Sequence, residues 1–243
     1  MKIVFCGGKN IGYNCLKHLI QHSEIEVALI IPNLDSDISP DRWYLSVTEV
    51  ALTHNIPLLG TNNINENFEE IKQVNPDCIF SVYFDQIFKK TIIDLPVKGI
   101  INLHFGLPEY YRGCYPTTWA IINGEKLTGV TLHYVDEGID TGDIIAERLI
   151  EIKKGYTGKD LYNLCTEIGF ELFKDMLPLI INDKCETRKQ NNGKAYHHDR
   201  EFPSHEVKLP KDVYNYIRAL IFAPFPSPFF NIGNKKITIM EEL

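Results

Sequence analysis

The sequence predicts an α/β fold: a mostly parallel sheet with flanking helices, followed by a small C-terminal subdomain of a helix and a β-hairpin. Short apolar runs alternate with stretches of helical spacing, which is typical of parallel sheets. Polar side chains follow directly after several of these runs, where open α/β sheets bind ligands. The 243 residues suffice for one large domain and an appendage, for which we predict the ranges 1–185 and 186–243.

The chain opens with a β-α-β unit, the start of a Rossmann-like domain. The apolar run Lys2–Cys6 predicts a strand, Ile11–His22 has helical spacing, and Ile25–Ile31 predicts a second strand. The intervening turn lacks the G-x-G-x-x-G pattern of dinucleotide sites, and a turn with positive φ is the simpler explanation of Gly7 and Gly8.

Lys9 and Asn10 follow this turn at the start of the first helix, a place suited to a phosphate. Beyond the second strand, residues 33–41 form an acidic loop. The next predicted elements are a helix ending near Thr53, an edge segment at Ile56–Leu58, a helix at Phe68–Val74 and a buried strand at Cys78–Val82.

The central stretch runs from Ile100 to Asp143. Asn102 and His104 lie two residues apart in an apolar strand, so both side chains point to the same face. Pro108 cannot continue a strand, which places His104 near the strand's C-terminal end. A second apolar run, Val130–Val135, ends in a turn rich in glycine and carboxylates, and parallel topology would bring Asp140 of that turn to the same edge.

These three residue types suit the transfer of an acyl group to an amine. A neutral histidine can take a proton from the amine. An asparagine amide can donate a hydrogen bond to a carbonyl oxygen that becomes negative. A carboxylate beside the histidine favours the imidazolium. Taken singly, each residue could equally be structural.

Five short motifs follow one another with a characteristic order and spacing. They are Asn102-x-His104, Leu107-Pro108, Arg112-Gly113 with Pro116, Gly129-x-Thr131 and Asp140-Thr141-Gly142-Asp143. Together they resemble the folate-dependent formyltransferases. The pattern covers roughly residues 1–180, and its specific motifs lie between Asn102 and Asp143. The resemblance implies that Asn102, His104 and Asp140 are the catalytic residues.

The resemblance also implies N10-formyltetrahydrofolate as the formyl donor, with no metal. The segment after the strand at residues 78–82 presents main-chain groups to the pterin ring in that family, although an aromatic turn that packs in the core is an equal alternative. The predicted folate-binding residues are Phe84, Gln86, Ile87, Phe88, Asp136, Gly138 and Ile139.

The tail resembles that of the sugar-nucleotide N-formyltransferases through Arg218-Ala219-Leu220 and Pro224-x-Pro226. This implies a nucleotide-linked amino sugar as acceptor, dTDP-4-amino-4,6-dideoxyglucose above all, for surface polysaccharide (O-antigen) synthesis. Lys9, Asn10 and Arg112 are the predicted substrate contacts, although a structural bond within its own loop is an equal role for Arg112.

Four alternatives stay open. Methionyl-tRNA formyltransferases share the motifs, but they carry a longer C-terminal β domain and a basic loop in place of residues 33–41. A formyl-folate hydrolase would use the same chemistry with water. A nicotinamide-dependent oxidoreductase lacks support from the glycine pattern, and a non-catalytic binding module would not need all three catalytic residues.

The remaining sequence predicts a strand at Asp143–Ile152 and a long helix at Thr157–Ile181. It also predicts a short helix at Lys211–Leu220 and a hairpin at Phe229–Met240 around Gly233-Asn234. Six cysteines form no C-x-x-C pair, and His197-His198 has no third ligand nearby, so no metal site is predicted.

The composition limits which partners the protein can bind and where in the cell we expect it. A net charge of −7 disfavours a nucleic-acid partner. The chain begins directly with a strand rather than a signal peptide, and no apolar run approaches the roughly 20 residues of a membrane span. We therefore expect a cytoplasmic protein without a membrane partner. The apolar segment Phe222–Ile232 predicts a homodimer, although packing of the segment within the monomer explains it equally.

Overall fold

The structure is a computed structural model that describes residues 1–34, 42–191, 203–206 and 212–240. The acidic side chains of the loop predicted over residues 33–41 lie outside the described residues, as does the pair His197-His198.

A six-stranded sheet in the order β2-β1-β3-β4-β5-β6 organises the described residues. β2, β1, β3 and β4 are parallel to one another, whereas β5 runs antiparallel to both β4 and β6. The prediction of a mostly parallel α/β sheet with flanking helices is therefore confirmed. The strands are β1 (Lys2–Gly7), β2 (Glu26–Pro32), β3 (Cys78–Val82), β4 (Ile100–His104), β5 (Leu127–Tyr134) and β6 (Ile144–Glu151).

Helices cover both faces of this sheet because its central strands are apolar on both sides. On one face Ile3, Phe5 and Phe80 pack in a core with residues of α1, α2 and α6; on the other Val4, Ile79 and Ile100 pack with residues of α3 and α4. The helices are α1 (Lys9–Gln21), α2 (Val47–Thr53), α3 (Phe68–Val74), α4 (Lys90–Ile93), α5 (Pro116–Ile122), α6 (Gly158–Ile181) and α7 (Val213–Leu220).

The long helix α6 covers the antiparallel half of the sheet, as its apolar stripe predicts. Thr157 caps its N-terminus: the Thr157 hydroxyl accepts from the Asp160 N–H at 3.1 Å, and the Asp160 carboxylate accepts from the Thr157 N–H at 2.9 Å. This reciprocal pair satisfies two backbone groups that a helix start leaves without partners. No helix among the described residues has the length and apolar composition needed to cross a membrane.

The first turn differs from its prediction. Gly8 is extended, with a φ of −169°, and positive φ falls on Lys9 instead, at 61°. Position 7 has no room for a side chain, because a Cβ there would lie 2.2 Å from the carbonyl oxygen of Val82 in β3. The expectation of positive φ at both glycines is therefore wrong, and the close contact between β1 and β3 is the physical reason for Gly7.

The C-terminal residues form α7 and a hairpin of β7 (Phe229–Ile232) and β8 (Lys235–Thr238), as predicted. α7 packs against α5 and α6. The chain just past residue 185 still pairs with the large sheet, because Arg188 and Ile144 exchange two backbone hydrogen bonds of 2.8 and 2.9 Å. The boundary between the two predicted domains stays a prediction.

Candidate active site

A cavity of about 660 Å³ opens at the carboxyl ends of β1, β3 and β4. All of the site residues predicted from the sequence line it, except Asn10 and Arg112. The ends of these parallel strands meet at one edge of the sheet, which is where such folds bind ligands.

Asn102 and His104 point into this cavity from the same face of β4. In the antiparallel register, Asn102 lies opposite His133 of β5, and His104 lies opposite Thr131. Directly opposed side chains on one face of a sheet are close neighbours. The strand alternation thus assembles a cluster of polar side chains on one face of β4 and β5.

His104 is buried, and a backbone carbonyl fixes its protonation. Its Nε2 lies 2.8 Å from the carbonyl oxygen of Tyr111. A carbonyl can only accept, so Nε2 carries the proton and Nδ1 offers a lone pair. Burial lowers the pKa of His104, and the nearby Asp140 carboxylate partly offsets that effect. The imidazole is therefore neutral near pH 7 and able to take a proton.

Asp140 contacts each member of this group. Its Oδ2 accepts from the backbone N–H of Gly113 at 2.7 Å and lies 3.6 Å from Nδ1 of His104. Its Oδ1 lies 3.3 Å from the Asn102 amide nitrogen and 3.4 Å from Nε2 of His133. Burial alone would raise the pKa of Asp140, but the positive charge that His104 or His133 carries when protonated and the bond from the Gly113 N–H hold it well below its ordinary value. Asp140 is therefore ionised.

Asp140 reaches the site by a route that differs from the predicted one. β5 is antiparallel, so its last residue, Tyr134, lies beside Ile101 and not beside His104. The expectation that parallel topology brings Asp140 to the site is wrong. The loop after β5 folds back instead, with Asp140 at a φ of 50° and no room for a side chain at Gly142, whose Cβ would lie 1.9 Å from the Tyr134 carbonyl oxygen.

Both amide hydrogens of Asn102 have partners. Nδ1 of His133 lies 2.7 Å from its neighbour's carbonyl oxygen and so carries the proton, which leaves Nε2 to accept from Asn102 at 3.0 Å. The second amide hydrogen points to Asp140 over the longer distance of 3.3 Å. The longer contact, with Asp140, is the one that a ligand oxygen can replace.

The predicted folate segment after β3 lines the cavity with aromatic and apolar side chains. The rings of Phe84 and Phe88 pack with centroids 5.6 Å apart and planes inclined at 36°, and Ile87 is 55% exposed. The Gln86 side chain has a structural role, because it bonds to the backbone of Ile64 at 2.6 Å and of Thr61 at 2.7 Å. Folate contacts from Gln86 would have to come from its main chain.

The loop after β5 forms the facing wall of the cavity. The Asp136 carboxylate accepts from the Gly138 N–H at 3.0 Å and from the Thr141 hydroxyl. These bonds close a tight turn whose apolar tip, Ile139, is partly exposed in the cavity. The turn leaves main-chain groups near Gly138 and Ile139 beside the segment after β3.

The three predicted substrate contacts lie in different settings. Lys9 lines the cavity, and its ammonium lies 3.9 Å from the ring centroid of Tyr44. The Asn10 side chain accepts from the backbone N–H of Leu45 at 3.0 Å, and Arg112 donates to Gln190 at 2.8 Å. Neither Asn10 nor Arg112 lines the cavity. The observed bond of Arg112 joins it to a distant segment of the chain and not to its own loop, as the structural alternative had it.

Comparison with known families decides the identity of the fold. The family model described as formyl transferase matches residues 1–177. The chain belongs to the formyl transferase family. Among curated relatives, it is 35% identical over 227 residues to a methionyl-tRNA formyltransferase of Clostridium perfringens, covering 90% of this chain and 74% of the relative.

A second curated relative is the bifunctional polymyxin resistance protein ArnA of Wigglesworthia glossinidia brevipalpis, 34% identical over 246 residues. That match covers 98% of this formyltransferase and only 37% of ArnA. The chain thus spans well under half the length of this relative.

Solved structures resemble the formyltransferase along nearly its whole length. WlaRD, described as a sugar 3N-formyl transferase in the presence of dTDP and 5-N-formyl-THF, has a TM-score of 0.79 and 31% identity over 98% of this chain and 84% of its own. An N-formyltransferase of Helicobacter canadensis was solved in complex with folinic acid and dTDP-3-aminofucose. It has a TM-score of 0.80 and 30% identity, and the match covers 98% of this chain and 86% of its own.

Sequence reasoning missed two parts of the site of this formyltransferase. His133 follows Thr131 by two residues in a predicted strand, so the alternation that identified His104 could also have identified it. The other part is an aromatic wall formed by Trp43, Tyr162, Phe222 and Phe225. Trp43 and Phe222 have ring centroids 5.0 Å apart, yet they come from distant parts of the chain and no local pattern links them. Among the described residues, no cluster of His, Cys, Asp and Glu could hold a metal ion.

Proposed function

We propose that this chain transfers a formyl group from N10-formyltetrahydrofolate to the amine of a nucleotide-linked amino sugar. The observation that carries the proposal is the convergence of Asn102, His104 and Asp140 in one cavity. The distances between their polar atoms are short enough for all three to act on one reacting group.

His104 acts as the general base. Its unprotonated Nδ1 takes a proton from the attacking amine as the new carbon–nitrogen bond forms, and the Asp140 carboxylate 3.6 Å away stabilises the imidazolium. The proton then passes to the folate nitrogen as its bond to the formyl carbon breaks. The products are a formamide and tetrahydrofolate, so atoms and charge balance.

Asn102 stabilises the negative charge that develops on the formyl oxygen. Its amide exchanges the 3.3 Å contact with Asp140 for that oxygen and keeps the 3.0 Å bond to His133. A neutral donor fixed in a buried site is effective for this purpose, because it needs little reorganisation during the reaction. Asp140 therefore orients the amide before the substrate binds, and His133 keeps it in place while it binds the formyl oxygen.

The residues present fit a folate. The ring-shaped, largely apolar pterin matches a cavity wall that contains Phe84, Ile87 and Phe88, with the Asp136–Asp140 loop facing them. The cavity volume of about 660 Å³ lies in the range of small-molecule sites. Two relatives with about 30% identity were solved with formyl-folate derivatives, which supports the same donor here.

Two features support a sugar nucleotide as acceptor. Lys9 offers a positive charge at the start of α1, where the helix dipole also favours a phosphate. Trp43, Phe222 and Phe225 offer aromatic surface for a nucleotide base in the same cavity. The relatives solved with dTDP or dTDP-3-aminofucose support dTDP as the nucleotide.

Methionyl-tRNA is the second candidate acceptor. The observation in its favour is the 35% identity to a methionyl-tRNA formyltransferase over 227 residues. The net charge of −7 is unfavourable for a large contact with tRNA phosphates.

A panel of acceptors tests the proposal. The protein is incubated with N10-formyltetrahydrofolate and, separately, dTDP-4-amino-4,6-dideoxyglucose, dTDP-3-aminofucose, a UDP-linked amino sugar and methionyl-tRNA, and the products are identified by mass. We expect a formamide on a dTDP-amino sugar, and we predict the C4 amine as the preferred one. Formylation of methionyl-tRNA alone would contradict the proposal.

A further inference from the structure

The side chain of Gln190 joins the two loops that meet at Asp140. Its amide nitrogen donates to the carbonyl oxygens of Asp140 at 2.9 Å and of Gly142 at 2.7 Å. Its amide oxygen accepts from Arg112 at 2.8 Å. One carboxamide therefore uses both donor hydrogens and its acceptor to hold these loops together.

Both loops control where the Asp140 carboxylate lies. The backbone of Asp140 is in the left-handed region, with a φ of 50°, which few non-glycine residues adopt. Such a conformation needs surrounding contacts to maintain it. The second loop supplies the Gly113 N–H that bonds the carboxylate at 2.7 Å, and Gly113 directly follows Arg112. Gln190 thus braces the Asp140 backbone and the donor to its side chain.

Gln190 is itself held by the edge of the sheet. Arg188 pairs with Ile144 through backbone bonds of 2.8 and 2.9 Å. Its guanidinium bonds to Glu109 at 3.1 Å and to Glu147 at 2.9 Å, and the Asn191 N–H bonds to Glu109 at 2.6 Å. Residues on both sides of Gln190 are therefore anchored, and its side chain is directed at Asp140.

We propose that Gln190 is a positioning residue for formyl transfer that acts through Asp140. It keeps the Asp140 carboxylate beside Asn102 and His104, although it contacts neither of them nor the cavity. The inference rests on the proposed role of Asp140. A displacement of about 1 Å at a reacting group can cost roughly a hundredfold in rate, so the loss of this brace has a measurable effect.

Gln190→Glu is the sharpest test. The carboxylate keeps the acceptor for Arg112 but removes both donors and faces two carbonyl oxygens. With the acceptor that wild type uses, we expect kcat to fall roughly tenfold or more while the KM of the acceptor changes less than twofold, because the lost contact acts on the reacting group. Lys189→Gln is the matched control: its side chain is exposed beside Gln190, and we expect wild-type kcat.

Gln190→Met separates positioning from a general loss of stability. It is similar in size and uncharged, and it too lacks both donors, so a comparable fall in kcat with an unchanged melting temperature supports the proposal. A kcat within twofold of wild type in a folded Gln190→Met protein overturns it. Asp140→Asn is measured alongside: if it abolishes turnover while the kcat of Gln190→Met stays within twofold of wild type, the role of Gln190 alone is refuted, whereas a fully active Asp140→Asn refutes the proposed chemistry.

Discussion

His104 is the residue whose replacement tests the chemistry most simply. His104→Asn keeps a polar side chain of smaller volume but removes the base, so we expect kcat to fall by a factor on the order of 10²–10⁴ with little change in the circular dichroism spectrum. His54→Asn is the control, because His54 is an exposed histidine at the end of α2. Near-normal turnover by His104→Asn would refute its assignment as base.

The pKa of His104 gives a second test at the same scale. Burial lowers this pKa from its ordinary value of 6.5, and the Asp140 carboxylate opposes the shift. The neutral base therefore persists to pH values below 6.5 and is lost as the pH falls further. Asp140→Asn removes the opposing charge, so the pKa of His104 should fall again. NMR titration of the imidazole, assigned with His104→Asn, measures both values, and a rise in Asp140→Asn would contradict the account.

Single residues differ in how far the sequence reveals them. Asn102 and His104 follow from strand alternation, and the same rule applies to His133. Gln190 could not be found in this way, because it lies 50 residues after Asp140 and meets it only through the pairing of Arg188 with the sheet edge. Contacts that depend on tertiary structure leave no local pattern.

At the scale of elements, the start of α1 is where the acceptor phosphate is proposed to bind. Lys9→Ala removes a charge-assisted contact, so we expect the KM of the sugar nucleotide to rise roughly tenfold or more and the KM of the folate to change little. Lys17→Ala, an exposed lysine on the same helix, should leave both unchanged. Equal effects of Lys9→Ala on both substrates would show that the phosphate is held elsewhere.

The positions of the strands and long helices were predicted better than the directions of the strands. Hydrophobic patterns locate strands such as β3 and β4, because burial dictates which residues are apolar. The same patterns do not encode whether neighbouring strands are parallel, which is why the antiparallel direction of β5 and the folded-back loop that carries Asp140 were not anticipated. Short helices such as α4, with four residues, carry too little periodicity to be recognised.

At the scale of the whole molecule, the C-terminal hairpin leaves apolar side chains exposed. Ile232 is 69% exposed and Ile237 46% exposed, whereas Phe222 of the same tail packs against Trp43 with ring centroids 5.0 Å apart. The tail thus both lines the cavity and presents an apolar surface. We predict that this surface forms a homodimer.

Sedimentation at micromolar concentration measures this association. We expect a dimer for wild type and a monomer for the double variant Ile232→Lys with Ile237→Lys, because two buried charges at a small apolar interface are unfavourable. Lys154→Ala is the control, because Lys154 lies in an exposed turn outside the hairpin. A wild-type monomer would refute the prediction.

We propose that the buried cluster of Asn102, His104 and Asp140 transfers a formyl group from folate directly to an amine. The most direct measurement of this transfer uses N10-formyltetrahydrofolate labelled with ¹³C in the formyl group, the dTDP-amino sugar that the panel identifies, and ¹³C NMR of the products. We expect a labelled formamide on the sugar with wild type and neither formamide nor formate with His104→Asn. Labelled formate without formamide in the wild-type reaction would contradict the proposal.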